Sequence, residues 1–294
     1  MEGRRFYIVD VFAEEKYAGN QLAVIRDSEG LSQVEMQRIA REMNFSETTF
    51  IISDEVRDGG YDVRIFTPER EIPFAGHPTL ETAYIIAQEV ERRPIGQVRL
   101  NLKVGQIPVT FDRGSDSEVL WMKQISPTFG SVLDPARVCE VLGVGVDELD
   151  ERFPIQEVST GLPFIITPLR RLETVRRIRP ARDRFLALVQ GTEAKDILVF
   201  CPETYGAQNH LNVRVFAEYE GVPEDPATGS ANGCLAAYLV KHRFFGADEI
   251  DLRVEQGYEI GRPSLLLLRA KETVDKIDVA VGGRVVMVAR GHLV

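Results

Sequence analysis

The chain has 294 residues, 44% of them hydrophobic and 27% charged, and carries a formal net charge of −10 at pH 7. This is the composition of an ordinary globular protein long enough for two cores, and it excludes dominant disorder. The acidic balance argues against nucleic acid or an anionic membrane as the main partner, since clustered Lys and Arg hold both.

Taken in order, Phe6 to Phe12 reads as a strand and Leu22 to Ile25 as another, with Gly19-Asn20 as the turn between them. Ser32 followed by Glu35 is a capping box, predicting a helix from Gln33 to Met43 with Met36, Ile39, Ala40 and Met43 on one face. The β-branched run Thr48 to Ile52 follows, which leaves Glu47 at the junction of helix and strand. Tyr61 to Thr67 alternates apolar and polar residues as a half-buried strand does. Pro73-Phe74-Ala75-Gly76-His77-Pro78-Thr79 then leads into a helix running to Arg92. Pro78 suits its first position and His77 would be its N-cap. A meander follows, Gln97 to Val104, Ile107 to Phe111 and Val119 to Lys123, turning at Gly105-Gln106 and Gly114-Ser115.

Beyond Ser126-Pro127 the pattern begins again. Asp134 caps a helix to Leu142, Pro154 to Ser159 resumes strand character, and Phe164 to Thr167, a helix near Asp183 to Val189, and Ile197 to Cys201 follow. Arg214-Val215-Phe216 leading to Thr228-Gly229-Ser230-Ala231 and Tyr238 echoes Arg64-Ile65-Phe66 leading to Ala75-Gly76-His77-Pro78 and Tyr84. Gly161 to Ile166 likewise echoes Gly19 to Ile25. Leu252 to Glu255, Ser264 to Arg269, Lys276 to Val281 and Val285 to Ala289 form a closing strand-rich meander. The expectation is two related halves, residues 1–125 and 126–294, with the last strand packing back on the first half. Each half offers a helix N-terminus, where backbone N–H groups favour an anion.

Cys139, Cys201 and Cys234 are scattered without C-x-x-C spacing, as reduced thiols are, and His77, His210, His242 and His292 lie too far apart for a local metal motif. No metal site is expected. The basic cluster from Arg170 to Arg184 is interrupted by Glu173 and Asp183 and reads as a solvated face. No signal-peptide flanks and no membrane-length apolar run occur, so a cytoplasmic protein without a membrane partner is expected. Dinucleotide, P-loop and nucleophile-elbow motifs are absent.

Glu47, flanked by Ser46 and Thr48 and followed by an apolar strand, is the leading candidate for proton transfer, since a carboxylate at a partly apolar cleft has its pKa raised toward neutrality. His77, against the positive end of a helix, would tend to stay neutral and serve as a hydrogen-bonding or proton-donating group. Asp225, five residues before Ser230, would reach the same anion site from the other half. The bland alternatives are a turn glutamate, a helix cap and a turn aspartate before proline.

These residues carry a family resemblance. Asp10-Val11-Phe12 with Gly19-Asn20, Asn44-Phe45-Ser46-Glu47-Thr48, Phe66-Thr67-Pro68 through Gly76-His77-Pro78-Thr79, and Glu224-Asp225-Pro226-Ala227-Thr228-Gly229-Ser230-Ala231 stand in the order found in the phenazine-biosynthesis PhzF-like proteins, which share the diaminopimelate epimerase fold. The resemblance spans nearly the full chain. It implies an α/β fold of two pseudo-symmetric halves, each a curled mixed sheet around a central helix. The active site would lie in the cleft between them, and the protein would be a homodimer. It implies isomerisation of a small cyclic carboxylic acid such as trans-2,3-dihydro-3-hydroxyanthranilate, with a proton moved between ring carbons and no cofactor. Glu47 would remove and redeliver that proton, with His77 and Asp225 as partners. Gly76, Gly229 and Ser230 would hold the substrate carboxylate, with Asn20 and Thr228 also lining the substrate. Epimerases of this fold place cysteines at the two helix starts, where this chain has Ala75-Gly76-His77 and Thr228-Gly229-Ser230. Epimerisation next to a carboxylate, or ligand binding without catalysis, remain the competing readings.

Overall fold

A computed structural model describes residues 3–114 and 118–294. The chain divides into two compact units, one running to Met122 and completed by residues 282–294, the other comprising residues 123–281.

In the first unit β1 (Arg4–Val11) pairs antiparallel with β2 (Asn20–Ile25), in a register that sets Val11 opposite Asn20. The turn between them needs a glycine. Gly19 has φ +68°, and a Cβ there would lie 2.1 Å from the carbonyl oxygen of Val11. Helix α1 (Gln33–Met43) crosses to β3 (Thr48–Ile51), which therefore runs parallel to β2. The capping box forms as expected: Glu35 N–H donates to Ser32 Oγ at 3.3 Å, and Ser32 N–H donates to Glu35 Oε2 at 2.8 Å. Asn44 ends the helix in the left-handed conformation. Met36 and Ala40 pack with Ile25, Phe50 and Phe66, the two rings meeting edge to face.

Then come β4 (Tyr61–Phe66), antiparallel to β3, the short β5 (Glu71–Ile72) and helix α2 (Gly76–Ile85), which continues as a π-helical run Ile86–Glu91. All of α2 except Tyr84 is buried, against β1, β2, β3 and two strands that follow it. Those are β6 (Gln97–Leu102), parallel to β4, and β7 (Gly105–Arg113), with β8 (Glu118–Lys123) completing the meander. The first bend of the meander falls at Lys103-Val104, two residues before the expected Gly105-Gln106, because Gly105 is already paired with Leu102. The expected turn at Gly114-Ser115 lies partly outside the described residues.

The second unit opens with β9 (Thr128–Val132), a strand whose outward-facing residues give no apolar alternation. Helix α3 (Pro135–Leu142) follows, capped by Asp134. Next are β10 (Gln156–Ser159), β11 (Pro163–Pro168), α4 (Leu172–Arg177), α5 (Arg182–Gln190), β12 (Asp196–Cys201), β13 (Leu211–Ala217), β14 (Val222–Asp225) and α6 (Gly229–Lys241). It closes with β15 (Glu249–Gln256), β16 (Ser264–Glu272) and β17 (Ile277–Gly283), after which β18 (Val285–Leu293) pairs with β1 of the first unit. Helix α6 is buried against β10, β11, β15 and β16.

The internal echo is a duplication of topology. β10 pairs antiparallel with β11, β11 parallel with β12, β12 antiparallel with β13, β13 antiparallel with β14 and parallel with β15, and β15 antiparallel with β16. The series from β1 to β7 has the same order and the same two parallel joints. Each unit is thus a mixed sheet with one central helix. The match extends to side chains. Arg64 pairs with Glu71 at 2.7 Å and lies over the Phe66 ring; Arg214 pairs with Glu224 at 2.6 Å and lies over the Phe216 ring. It is not complete: α4 and α5 stand where the first unit has α1 alone, and α3 has no counterpart.

Candidate active site

Glu47 follows the left-handed residue Asn44 by three positions and immediately precedes β3, so the chain reversal at the end of α1 fixes where its side chain can go. His77 reaches the same place from α2. Its Nε2 lies 3.2 Å from Glu47 Oε2, with side-chain exposures of 8% and 16%. A carboxylate against an imidazole nitrogen in a largely dry setting can pass or share a proton, because each group stabilises the charge the other develops.

His77 is not the N-cap. Ala75 is, with extended φ and ψ, so Gly76, His77 and Pro78 are the first three residues of α2. Proline is tolerated at any of these, since the first-turn N–H groups have no intrahelical acceptor, and the sequence could not distinguish first position from third. Thr79 Oγ1 donates to the Ala75 carbonyl at 2.8 Å and Thr82 Oγ1 to that of Pro78 at 2.7 Å, which keeps these buried hydroxyls satisfied. Gly76 is buried at the helix start. Asn20, also in this unit, is buried at the head of β2, its Oδ1 accepting from Gln21 N–H at 2.9 Å.

In the second unit Asp225 ends β14, and its Oδ2 accepts a hydrogen bond from Thr228 Oγ1. Thr228 is the N-cap of α6, with Gly229 and Ser230 the first two helical residues. Its hydroxyl serves protein partners: besides Asp225, it lies 3.1 Å from Gln256 Nε2. The structure therefore gathers Glu47 with His77 and Gly76 at one helix start, and Asp225 with Thr228, Gly229 and Ser230 at the other.

Sequence reasoning missed Gln256 and Asn232, which brace the second turn. Gln256 Nε2 donates to the Asp225 carbonyl at 2.8 Å, and its Oε1 accepts from Thr228 N–H at 3.2 Å and Asn232 Nδ2 at 2.8 Å. The available signal was alternation, since Gln256 takes the inward position after Ile250, Leu252 and Val254.

Burial pushes the Cys234 thiol in α6 up to about 12, and it lies 3.6 Å from Thr160 Oγ1, so it is a packed thiol and not a nucleophile. Among the described residues no group of three or more His, Cys, Asp or Glu is placed to hold a metal ion, and no helix is long and apolar enough to cross a membrane.

A family model described as phenazine biosynthesis-like protein matches residues 9–291. A curated relative from Pseudomonas aeruginosa, named trans-2,3-dihydro-3-hydroxyanthranilate isomerase, is 35% identical over 293 residues, covering 98% of this chain and 99% of its own. An uncharacterized isomerase from Clostridium acetobutylicum is 34% identical over 298 residues, covering 98% of this chain and 97% of its own. Among solved structures, a phenazine biosynthesis protein of the PhzF family from Bacillus anthracis superimposes with a TM-score of 0.90 at 29% identity, covering 100% of both chains.

Proposed function

The chain belongs to the phenazine biosynthesis-like (PhzF) family and is an isomerase, and from that premise we propose that it moves a proton on a small cyclic carboxylic acid of the dihydro-hydroxyanthranilate type, with Glu47 as both base and acid. The observation that carries this reading is the contact between Glu47 and His77 at the start of α2. Glu47 takes a proton from one ring carbon, the electron pair is delocalised into the adjacent unsaturation, and the same proton is returned at another carbon. No atoms are gained or lost, so the reaction needs an acid/base and no redox partner. His77 stabilises the protonated and ionised forms of Glu47 in turn.

Gly76 and, in the other unit, Gly229 and Ser230 are assigned to the substrate carboxylate, an anion that suits a helix N-terminus. Asp225 is assigned to the polar substituents of the same substrate, with Asn20 and Thr228 completing the set. A homodimer is proposed with it, to be checked by light scattering. Two-thiol epimerisation is disfavoured, since neither helix start carries a cysteine and Cys234, further along α6, has its thiol pushed up to about 12.

The test is proton exchange followed by NMR in heavy water, using wild type and Glu47→Gln with trans-2,3-dihydro-3-hydroxyanthranilate, its analogues, and α-amino and α-hydroxy acids. The expected result is isomerisation of a cyclic acid by wild type and a loss of about 10²- to 10⁴-fold in Glu47→Gln, the range of general acid/base contributions. Equal exchange by both proteins would remove Glu47 from the mechanism. Exchange confined to the α-carbon of amino or hydroxy acids would replace the isomerase reading by an epimerase one.

A further inference from the structure

Gln256 is buried at the end of β15, and the partners of its amide leave no choice of orientation. The Asp225 carbonyl can only accept, and it faces Nε2 at 2.8 Å; the Thr228 backbone N–H can only donate, and it faces Oε1 at 3.2 Å. With the amide fixed this way, its second Nε2 proton is directed at Thr228 Oγ1, 3.1 Å away. Asn232 Nδ2 donates to Oε1 at 2.8 Å and also to the Thr228 carbonyl at 3.1 Å. Both donors and both acceptor sites of Gln256 are in use. The Thr228 hydroxyl has one proton; it accepts from Gln256 through one lone pair and donates that proton to Asp225 Oδ2.

We propose that Gln256 is a positioning residue that sets the direction of the Thr228 hydroxyl, so that Asp225 is presented as an ionised, proton-accepting carboxylate and not as a proton-donating acid. The proposal rests on the assignment of Asp225 to the site made above and says what it does there. A carboxylate so held receives an amino or hydroxyl group of the substrate.

The duplication supplies an independent argument. Arg64 and Arg214 are equivalent, so the pairing of Asp62 with Asn101 corresponds to that of Asn212 with Glu255, and Gln256 corresponds to Leu102. The same place in the first unit is therefore filled by a leucine. The fold does not demand a buried glutamine at this position; the half that carries Asp225 does. The carboxylate next to it, Glu224, is already engaged by Arg214, which leaves Asp225 as the one the hydroxyl addresses.

The test reads the carboxyl itself in the ligand-free full chain, by ¹³C NMR of protein labelled at the aspartate carboxyl carbon, with the Asp225 signal assigned by its loss in Asp225→Asn. Thr228→Val removes the hydroxyl and is expected to raise the titration midpoint of Asp225 by about one pH unit, the effect of losing a hydrogen bond to the charged form. Gln256→Met is expected to raise it as well, and the two together to raise it by less than the sum, because they act through one proton. A midpoint in Gln256→Met equal to that of wild type, or fully additive shifts, would overturn the proposal. Should Gln256→Met not fold, Gln256→Glu retains the shape but presents an acceptor to the hydroxyl. The expected result is then that adding Thr228→Val to it changes little, and an undiminished Thr228→Val effect would overturn the proposal. None of these readouts depends on turnover, so failure of the substrate assignment and failure of this inference are seen separately.

Discussion

Glu47 and His77 come from different elements, 30 residues apart in number, and nothing local in the sequence says that they meet. If their contact carries the proton, His77→Asn should preserve folding and substrate binding while lowering kcat by about 10²-fold, since a single hydrogen-bonding partner of a developing charge is worth roughly that much. A rise in KM with kcat unchanged would instead make His77 a binding group. The cysteines make the opposite kind of prediction. All three are buried, and burial pushes the Cys201 and Cys234 thiols up to about 12. Iodoacetamide at neutral pH should therefore leave both unlabelled and the isomerase active until the chain is unfolded, as mass spectrometry of tryptic peptides would report. Rapid labelling of Cys234 with loss of activity would contradict the packed-thiol assignment.

Between elements, the paired arginines show how burial decides what an ion pair contributes. Arg214 and Glu224 expose 2% and 8% of their side chains, and the Arg214 guanidinium also donates to the carbonyls of Val175 and Ile178, which ties the end of α4 to β13. Arg64 is 27% exposed, and its partner Glu71 is shared with Lys103. Arg214→Met leaves Glu224 and two carbonyls without their donor and is expected to cost about 3–5 kcal/mol. Arg64→Met leaves Glu71 paired with the Lys103 ammonium, and is expected to cost about 1 kcal/mol. Urea denaturation of both variants checks this, and equal costs would show that burial is not what separates them. Gly19→Ala tests the other device of the fold. It places a Cβ against backbone at a positive φ, and neither can yield, so a loss of about 2 kcal/mol or more is expected at the head of β2.

What was legible at this scale followed from range. The capping box of α1 and the Asp134 cap of α3 were readable because their partners lie within three residues. The start of α2 was not, because Pro78 is acceptable at more than one first-turn position. β9 and β14 were invisible because their pairing comes from β10 and β13, while their own residues, exposed in one and containing a proline in the other, carry no strand pattern. Gln256 was hidden for the same reason, its partners standing 24 to 31 residues away.

For the molecule as a whole, the repeat of arginine, phenylalanine and helix start disclosed the duplication, and the motifs at those helix starts disclosed the family, whereas the response to pH depends on burial that only the folded chain has. The formal charge of −10 falls to zero near pH 5.1, so self-repulsion weakens on acidification and does not by itself destabilise the fold above that pH. His242 acts against this trend. It ends α6 with Nε2 donating to Gln156 Oε1 at 2.8 Å, an orientation fixed because Gln156 Nε2 is taken by the Gly130 carbonyl. Burial, with the Lys241 ammonium adding to it, holds its pKa below the ordinary histidine value. The unfolded chain therefore takes up a proton there first. The contribution is fully present above about pH 6.5, declines as pH falls below that value, and levels off once the folded imidazole is also protonated. Carboxylates act later. Arg177, with the Gly145 N–H and the Thr174 hydroxyl, holds Glu148 at about 2, and Arg64 and Arg152 likewise lower Glu71 and Asp150. Their stabilisation is present above the ordinary carboxylate range and is lost as pH falls through the lowered folded values, about 2 for Glu148. Urea midpoints should accordingly drop in two stages, one below about pH 6.5 and a steeper one below about pH 4.5. His242→Gln should flatten the first stage and leave the second intact. The difference between wild type and variant is the quantity that isolates His242, and a difference independent of pH from 8 to 5 would show that its burial is not coupled to folding.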